Sequence, residues 1–447
     1  PKDAAAGVVL ASVARPVVGG RIALIDRSVA SFFPHRLAPG CIFRPASPPN
    51  GVPMSRAFVV LALSMLLGIQ PVTTDLYLPA LPALTQQLGA SVAQAQLTLS
   101  GLLLAFGLSQ LVWGPVSDRF GRRPVLLVGL ATYVVAAIGC TFAPSMEALL
   151  VGRIVQGVAM GASVMCARAL VRDLYTPEAG ARAISKGLSG LGVIACLSVP
   201  VGGLLAEFLG WRVALGALAV FGALTFGLIV WHFKETLPRR DPDALRPRKL
   251  LQTWGTILRH PTFRAFALLA ASTYGGLFTL LAASSFVFIR LLGLSRLEYG
   301  ALMMSTALAY LVGTFLCRSL LRRFGVHKTV AIGGGLSLVG GSLLGVIGLF
   351  GPDRVWMLLP PVLIYMLGHG IHQPCGQAGA VGPFPQAAGA ASALSGFLMM
   401  VFAFAMGQWL GANMDDSVLP LTNGLWFWGV VTAAVAWGLV GRTQREA

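Results

Sequence analysis

Charge is what this chain has least of. Only 11% of its 447 residues are charged, and 16 acidic residues stand against 33 lysines and arginines. A soluble domain carries roughly a quarter charged residues, so an ordinary soluble fold is excluded. Cysteine is also sparse. None of the six (Cys41, Cys140, Cys166, Cys196, Cys317, Cys375) is in a C-x-x-C spacing, and all but Cys41 lie in apolar segments. That pattern argues against a metal site or disulfide framework and for small packing residues. No G-x-x-x-x-G-K-[ST] loop is present, which argues against direct coupling to ATP. No nucleophile triad or catalytic carboxylate pair can be assembled, so no enzyme activity and no cofactor are expected.

What is present is apolar. Hydrophobic residues make up 56%, mean hydropathy is +0.77, and glycine is abundant at 54. Together these describe a polytopic membrane protein. The net charge of +17 would suggest nucleic acid on a soluble protein. Here the basic residues fall in short loops between apolar runs, as the positive-inside rule requires, and no nucleic-acid partner is expected.

Residues 1–53 do not read like the rest. Their apolar runs are short and interrupted by Arg15, Arg21, Asp26 and Arg27, and they lack the pattern of a signal peptide. They are read as a non-native upstream translation or a disordered leader, with a credible membrane-protein start at Met54.

A bilayer core about 30 Å thick needs about 20 apolar residues per helix. Twelve runs qualify: roughly 57–83, 93–117, 124–142, 147–170, 183–206, 212–233, 264–289, 298–320, 328–350, 355–378, 388–411 and 422–440. With the N-terminus inside, Arg119, Arg122, Arg123, Arg172 and the basic run 234–259 are cytoplasmic. The outside loops hold mainly Glu147, Glu207, Asp353, Asp415 and Asp416, with fewer arginines. Both termini then face inward. The longest polar connection, 234–262, divides the chain into a first six-helix bundle (54–233) and a second (263–447). Within it "TWGTILRH" reads as a short amphipathic helix on the membrane surface. A faint repeat relates the halves: "SDRFGRRP" (117–124) and "LRRFGVHK" (321–328) occupy equivalent places. The fold class is therefore all-α, with twelve transmembrane helices in two six-helix bundles.

One stretch breaks the apolar rule. "GIQPVTTDLYLPALPAL" (68–84) places Asp75 slightly past the midpoint of span one, beside Pro71, Pro79 and Pro82. Burial penalises a charged carboxylate, which suits this group to take and release a proton near neutral pH. The prolines bend the helix, and Gln70, Thr73 and Thr74 can satisfy the freed backbone. The bland alternative is that Asp75 caps a short helix near the outer surface. Intramembrane ionisable residues are costly, so the proton role is preferred.

Other motifs follow in order. "GPVSDRFGRR" (114–123) carries Gly114, Asp118, Arg119, Gly121, Arg122 and Arg123 between spans two and three. Gly114 permits close helix approach, Gly121 a tight turn, and Asp118 can face the positive end of another helix. An ordinary basic loop is the competing reading. "LLVGRIVQGVAMGAS" (149–163) buries Arg153 and Gln156 in span four and sets Gly157 and Gly161 on a small-residue face. Arg153 must find a polar partner inside or snorkel to an interface. In span five, Pro200, Gly202 and Gly203 suggest a flexible or kinked helix, or simply a glycine-rich packing surface. His369 and His372 share a face of span ten. They are too few for zinc, so no metal is expected. Arg168, Arg172 and Asp173 end span four as a candidate cytoplasmic charge cluster. Tyr77, Phe106, Trp113, Tyr274, Phe278, Tyr310 and Phe397, with Gln156 and the two histidines, are candidates for lining a central cavity. Packing against lipid or core competes at every aromatic.

The 114–123 motif resembles the signature between spans two and three of the major facilitator superfamily. Arg153 followed by "QG" resembles a second motif of that family, and Pro200-x-Gly-Gly loosely resembles the antiporter motif of span five. "TTDLYLPALPAL", "ARALVRDLY", "KETLP" and "PFPQAAGAASALSGF" resemble the bicyclomycin/chloramphenicol-resistance (Bcr/CflA-type) drug:proton antiporters. The likeness runs from about Ala57 to the end of the chain. It implies a proton-coupled exporter of small drugs across the bacterial inner membrane, working by alternating access. Asp75 would be the proton site, Arg153 would lie nearby, and the 114–123 loop would latch the halves on the cytoplasmic side. The implied partners are a small-molecule substrate, protons and the lipid bilayer, with one chain acting as a monomer. A major facilitator transporter for a metabolite such as an amino acid or sugar is the chief alternative. A membrane sensor or scaffold and a membrane-embedded enzyme have less support.

Overall fold

The computed structural model describes residues 54–443 apart from 176, 238, 353 and 415. The leader expected at residues 1–53 lies outside them, as do the side chain of Arg182 and the last four residues.

Every regular element among the described residues is helical. In the first half these are α1 (Arg56–Asp75), α2 (Leu81–Gln87), α3 (Val92–Phe120), α4 (Arg122–Thr141), α5 (Met146–Leu174), α6 (Pro177–Phe208) and α7 (Trp211–His232). A connecting helix α8 (Pro247–Arg259) precedes α9 (Pro261–Ser285), α10 (Arg296–Leu349), α11 (Val355–Val381), α12 (Ala388–Asn413) and α13 (Leu419–Ala434). Serines start several of them. Ser91 and Ser295 form full capping boxes with Gln94 and Glu298, and Ser55 and Ser145 each accept a first-turn N–H. These satisfy donors that a helix start leaves unpaired.

Eleven described helices are long and apolar enough to cross a membrane. One of them, α10, has 54 residues and a non-helical Gly325 inside it, at φ 74° and ψ 179°. At 1.5 Å per residue it would reach about 80 Å, far beyond one bilayer core of about 30 Å. It is two crossings joined at Gly325, and the described residues therefore hold the expected twelve. The equivalent turn in the first half is Gly121, at φ 107° and ψ 159°. The sequence repeat thus marks one backbone geometry used twice, in a region that glycine alone occupies readily.

The prolines of span one segment it. Pro71 sits inside α1, which stops at Asp75; Pro79 opens a short 3-10 turn, and Pro82 stands at the start of α2. Proline suits a helix start because the N–H it lacks would be unpaired there anyway. In span five, α6 continues as a helix through Pro200.

The connection 234–262 contains α8, a longer helix than the expected "TWGTILRH". It is amphipathic: Ile257 is buried and Trp254 half-buried, while Leu251, Gln252 and Arg259 are exposed. A small loop precedes it. There the Asp243 N–H and Lys249 Nζ donate to Asp241 at 2.9 and 3.3 Å, holding that carboxyl below the usual carboxylate range.

Candidate functional site

The two bundles meet along α3 and α12, where small residues let backbones approach. A Cβ on Gly107 would lie 2.6 Å from Met400, and one on Gly411 would lie 3.1 Å from Ala93. At the end bearing Ser91 and Ser295 the bundles are sewn together. Gln96 Nε2 donates to the Ala282 carbonyl at 2.7 Å, and Arg296 donates to the Ala206 carbonyl at 3.2 Å. Here the span-five residues take their places. Pro200 backs onto Gly300, Gly202 lies against the Leu76 carbonyl, and Gly203 lies against the Arg296 carbonyl. All three serve as close contacts between spans one, five and eight.

Toward the other, basic end the seam opens into a polar hollow of about 100 Å³. Gln70, Gln110, Arg168, Gln373, Gln377 and Ser392 line it, with Phe106 and Tyr274. A larger hollow of about 830 Å³ lies on the flank of the first bundle, walled by apolar residues of spans one, three, five and six. It shares no lining residue with the polar hollow.

Asp75 sits where α1 stops. Thr74 Oγ1 donates to its Oδ1 at 2.6 Å, and no ion pair reaches it among the described residues. Gln70, just over one turn earlier, donates to the Tyr274 hydroxyl at 3.3 Å across the seam. Thr73 and Thr74 bond back to the carbonyls of Ile69 and Gln70 at 2.5 and 3.0 Å.

Arg153 is 0% exposed, so it does not snorkel. One guanidinium nitrogen donates to the Thr73 carbonyl at 2.8 Å and another to Gln156 Oε1 at 3.0 Å. The guanidinium also lies over the Tyr77 ring at 4.5 Å. The Thr73 carbonyl is one that the ending helix leaves without an intrahelical donor. Arg153 thus braces the break that carries Asp75 and makes no direct contact with the carboxylate. Thr73 also meets the Tyr133 hydroxyl at 2.6 Å, and Tyr77 bonds Thr98.

Several cavity candidates lie elsewhere than on the wall of the polar hollow. Tyr77 and Gln156 are buried inside the first bundle around Arg153, and Phe278 packs against Gly407. His369 bonds Thr273 at 2.9 Å and stacks on half-buried Tyr310; His372 donates to the Val330 carbonyl at 3.1 Å. None of these six is among the residues lining the hollow. An apolar helix offers aromatic side chains on every face, so periodicity could not separate seam from interior. Among the described residues, no three metal-ligand side chains converge.

The 114–123 loop is internally bonded. Arg122, buried, reaches Asp118 at 2.6 Å and Asp173 at 2.9 Å. Arg172 lies 3.7 Å from Asp118, and the Asp241 N–H donates to the Asp118 carbonyl at 3.0 Å. The acid at the positive start of α4 is not Asp118 but Glu235. Its two oxygens accept the backbone N–H groups of Arg122 and Arg123 at 2.9 and 3.1 Å, and one also accepts those of Thr236 and Leu237 at 3.0 Å each. Arg119 is exposed over Phe120, Gly114 lies against Met165, and Arg123 reaches the Val230 carbonyl at 3.1 Å. Sequence reasoning missed Glu235, whose only signal was its place in "KETLP". It also grouped Arg168 with Arg172 and Asp173. Residues four and five positions apart on a helix diverge by about 40–140°, and here Arg168 turns to the hollow while Asp173 turns to Arg122.

Comparison with known proteins adds to this geometry. The sequence pattern described as Major Facilitator Superfamily matches residues 63–408. The chain is 30% identical to multidrug resistance protein D of Escherichia coli over 344 residues, 77% of this chain and 86% of that one. It is 29% identical to the chloramphenicol resistance protein of Pseudomonas aeruginosa over 348 residues, 76% of this chain and 80% of the relative. Its fold matches the xylose transporter XylE of E. coli in a partially occluded inward-open conformation. The TM-score is 0.66 at 14% identity, covering 85% of this chain and 96% of the other.

Proposed function

Because the chain belongs to the major facilitator superfamily, we propose that it is a proton-coupled exporter of small drugs, of the bicyclomycin/chloramphenicol-resistance type. It works as a monomer in the bacterial inner membrane and catalyses no reaction. The observation that carries this reading is the Asp75 carboxyl at the break of span one, without an ion pair among the described residues and just over one turn from Gln70, whose amide bonds Tyr274 of the opposite bundle. A carboxylate so placed feels both the proton and the arrangement of the halves.

The excess of arginine and lysine at the end holding Gly121 and Gly325 makes that end cytoplasmic, with both termini inside. The contacts of Gln96, Pro200, Gly203 and Arg296 then seal the outer side. The hollow lies on the inner side of that seal, which supports an inward-facing, nearly closed state. The partners of Asp118 belong to the first bundle and the connecting loop, consistent with an inner latch that is released in this state.

Cargo enters the hollow from inside. The halves rock, the outer contacts part, and Asp75 takes a proton from outside. The neutral carboxyl no longer favours the loaded arrangement, cargo leaves, and the proton is released inward after the return. Each inward charge contributes about 2.3 kcal/mol per 100 mV of membrane potential.

The test is pH-gradient-driven export of chloramphenicol from proteoliposomes. Wild type should export, and Asp75→Asn should insert normally yet lose the response to the gradient. Undiminished gradient-driven export by that variant refutes the proton assignment.

A further inference from the structure

We infer that the preferred cargo carries a negative group, a carboxylate or comparable monoanion, that Arg168 receives it, and that a neutral drug such as chloramphenicol occupies the same hollow more weakly. This deepens the export reading and rests on taking the polar hollow as the cargo site. Arg168 is the charged residue on the wall of that hollow, which otherwise offers neutral amides, hydroxyls and apolar groups. No carboxylate lies within ion-pair distance of it among the described residues; its one hydrogen bond runs from Nη1 to Ser392 Oγ at 2.7 Å. A partly buried guanidinium without a counter-charge is costly, and a bound anion removes that cost.

The wall around it has unused hydrogen-bonding capacity. Gln110 is 2% exposed and Ser395 3%, yet the Gln110 side-chain oxygen and the Ser395 hydroxyl have no partner, and neither does the Gln373 side-chain oxygen. All three residues line the hollow. Buried polar groups are seldom left unpaired unless something else fills them. The arrangement suits a compact molecule with an anionic end and an amide or hydroxyl close by. It disfavours a cation, which would meet Arg168 with no acid to shield it. Exchange of an entering proton for a leaving anion also adds the charges moved per cycle, whereas a cationic cargo would cancel the proton's.

The experiment uses the full chain in lipid nanodiscs and proteoliposomes with three matched probes: N-benzoylglycinate, its neutral amide N-benzoylglycinamide, and the cation of N-benzoylethylenediamine. Binding is read by intrinsic fluorescence, and competition is read against chloramphenicol export. The anion should bind more tightly than the amide by roughly tenfold, the worth of one charge-assisted hydrogen bond, and the cation should bind least. Arg168→Gln should erase the anion's advantage over the amide, and Arg168→Lys should keep part of it. Equal binding of all three probes, binding of none of them, or an anion advantage that survives Arg168→Gln overturns the inference. Gradient-driven export of neither chloramphenicol nor N-benzoylglycinate, with Arg168-dependent anion binding intact, would overturn the drug-export reading and leave anion recognition by Arg168 standing.

Discussion

Gly121 and Gly325 form a matched pair, and replacing each with alanine separates backbone strain from the Glu235 cap. Both glycines hold positive φ, 107° and 74°, with ψ of 159° and 179°. An alanine in that region costs about 1–3 kcal/mol. At Gly325 nothing lies within 4 Å of the added Cβ, so strain is the whole cost. At Gly121 the Cβ would lie 2.5 Å from Glu235 Oε2 and 3.1 Å from its Cδ. The carboxylate must then leave the N-terminus of α4, adding the loss of a helix cap, about 0.5–2 kcal/mol. Gly121→Ala should therefore be the more harmful change by about that amount. Combined with Glu235→Ala it should cost less than the sum of the two, because the cap is lost only once. Gly325→Ala with Glu235→Ala should add to within about 0.5 kcal/mol. Unfolding titrations with dodecyl sulfate in mixed micelles, followed by tryptophan fluorescence, give the comparison. Equal cost at the two glycines, or equal coupling of both to Glu235, would refute the reasoning.

Other substitutions have outcomes set by burial. Asp173→Asn removes the buried one of the two acids on Arg122, 2.9 Å away with side chains 2% and 7% exposed, and leaves half-exposed Asp118 at 2.6 Å; it should destabilise by about 1–3 kcal/mol in the same titration, less than the orphaning of a buried charge. Glu207→Gln removes a half-exposed ion pair with Arg296, 3.4 Å long, and should cost about 0–1 kcal/mol. Gly202→Val drives a side chain into the Leu76 carbonyl and should abolish export even where the protein inserts, measured as chloramphenicol efflux per inserted molecule. Arg153→Met should displace the brace on the Thr73 carbonyl and lower both melting temperature and gradient-driven export, whereas Asp75→Asn should lower export alone.

The architecture was legible because a bilayer imposes a length and a composition on each crossing. That is why the span between residues 296 and 349 could be divided at the RFG repeat although the helix runs almost unbroken across it. Asp75 was legible for the same reason: in so apolar a run a carboxylate needs an explanation. The wall of the hollow was not. Tyr77 and Phe106 are both aromatic and both lie in apolar spans, yet one is buried around Arg153 and the other faces the seam. Helix rotation decides this, and rotation is set by contacts such as Gly157 against the Leu102 carbonyl and Gly161 against Ser109. Glu235 was hidden differently. An acid in a basic connecting loop looks solvated until the fold brings the start of α4 against it.

Proton release on cargo binding tests the central claim most directly. Purified protein in weakly buffered solution is mixed with chloramphenicol or the benzoylglycinate probe while a pH indicator is followed. Wild type should release protons on addition and Asp75→Asn none, with binding of the probe retained. Release by the variant equal to that of wild type would contradict the account.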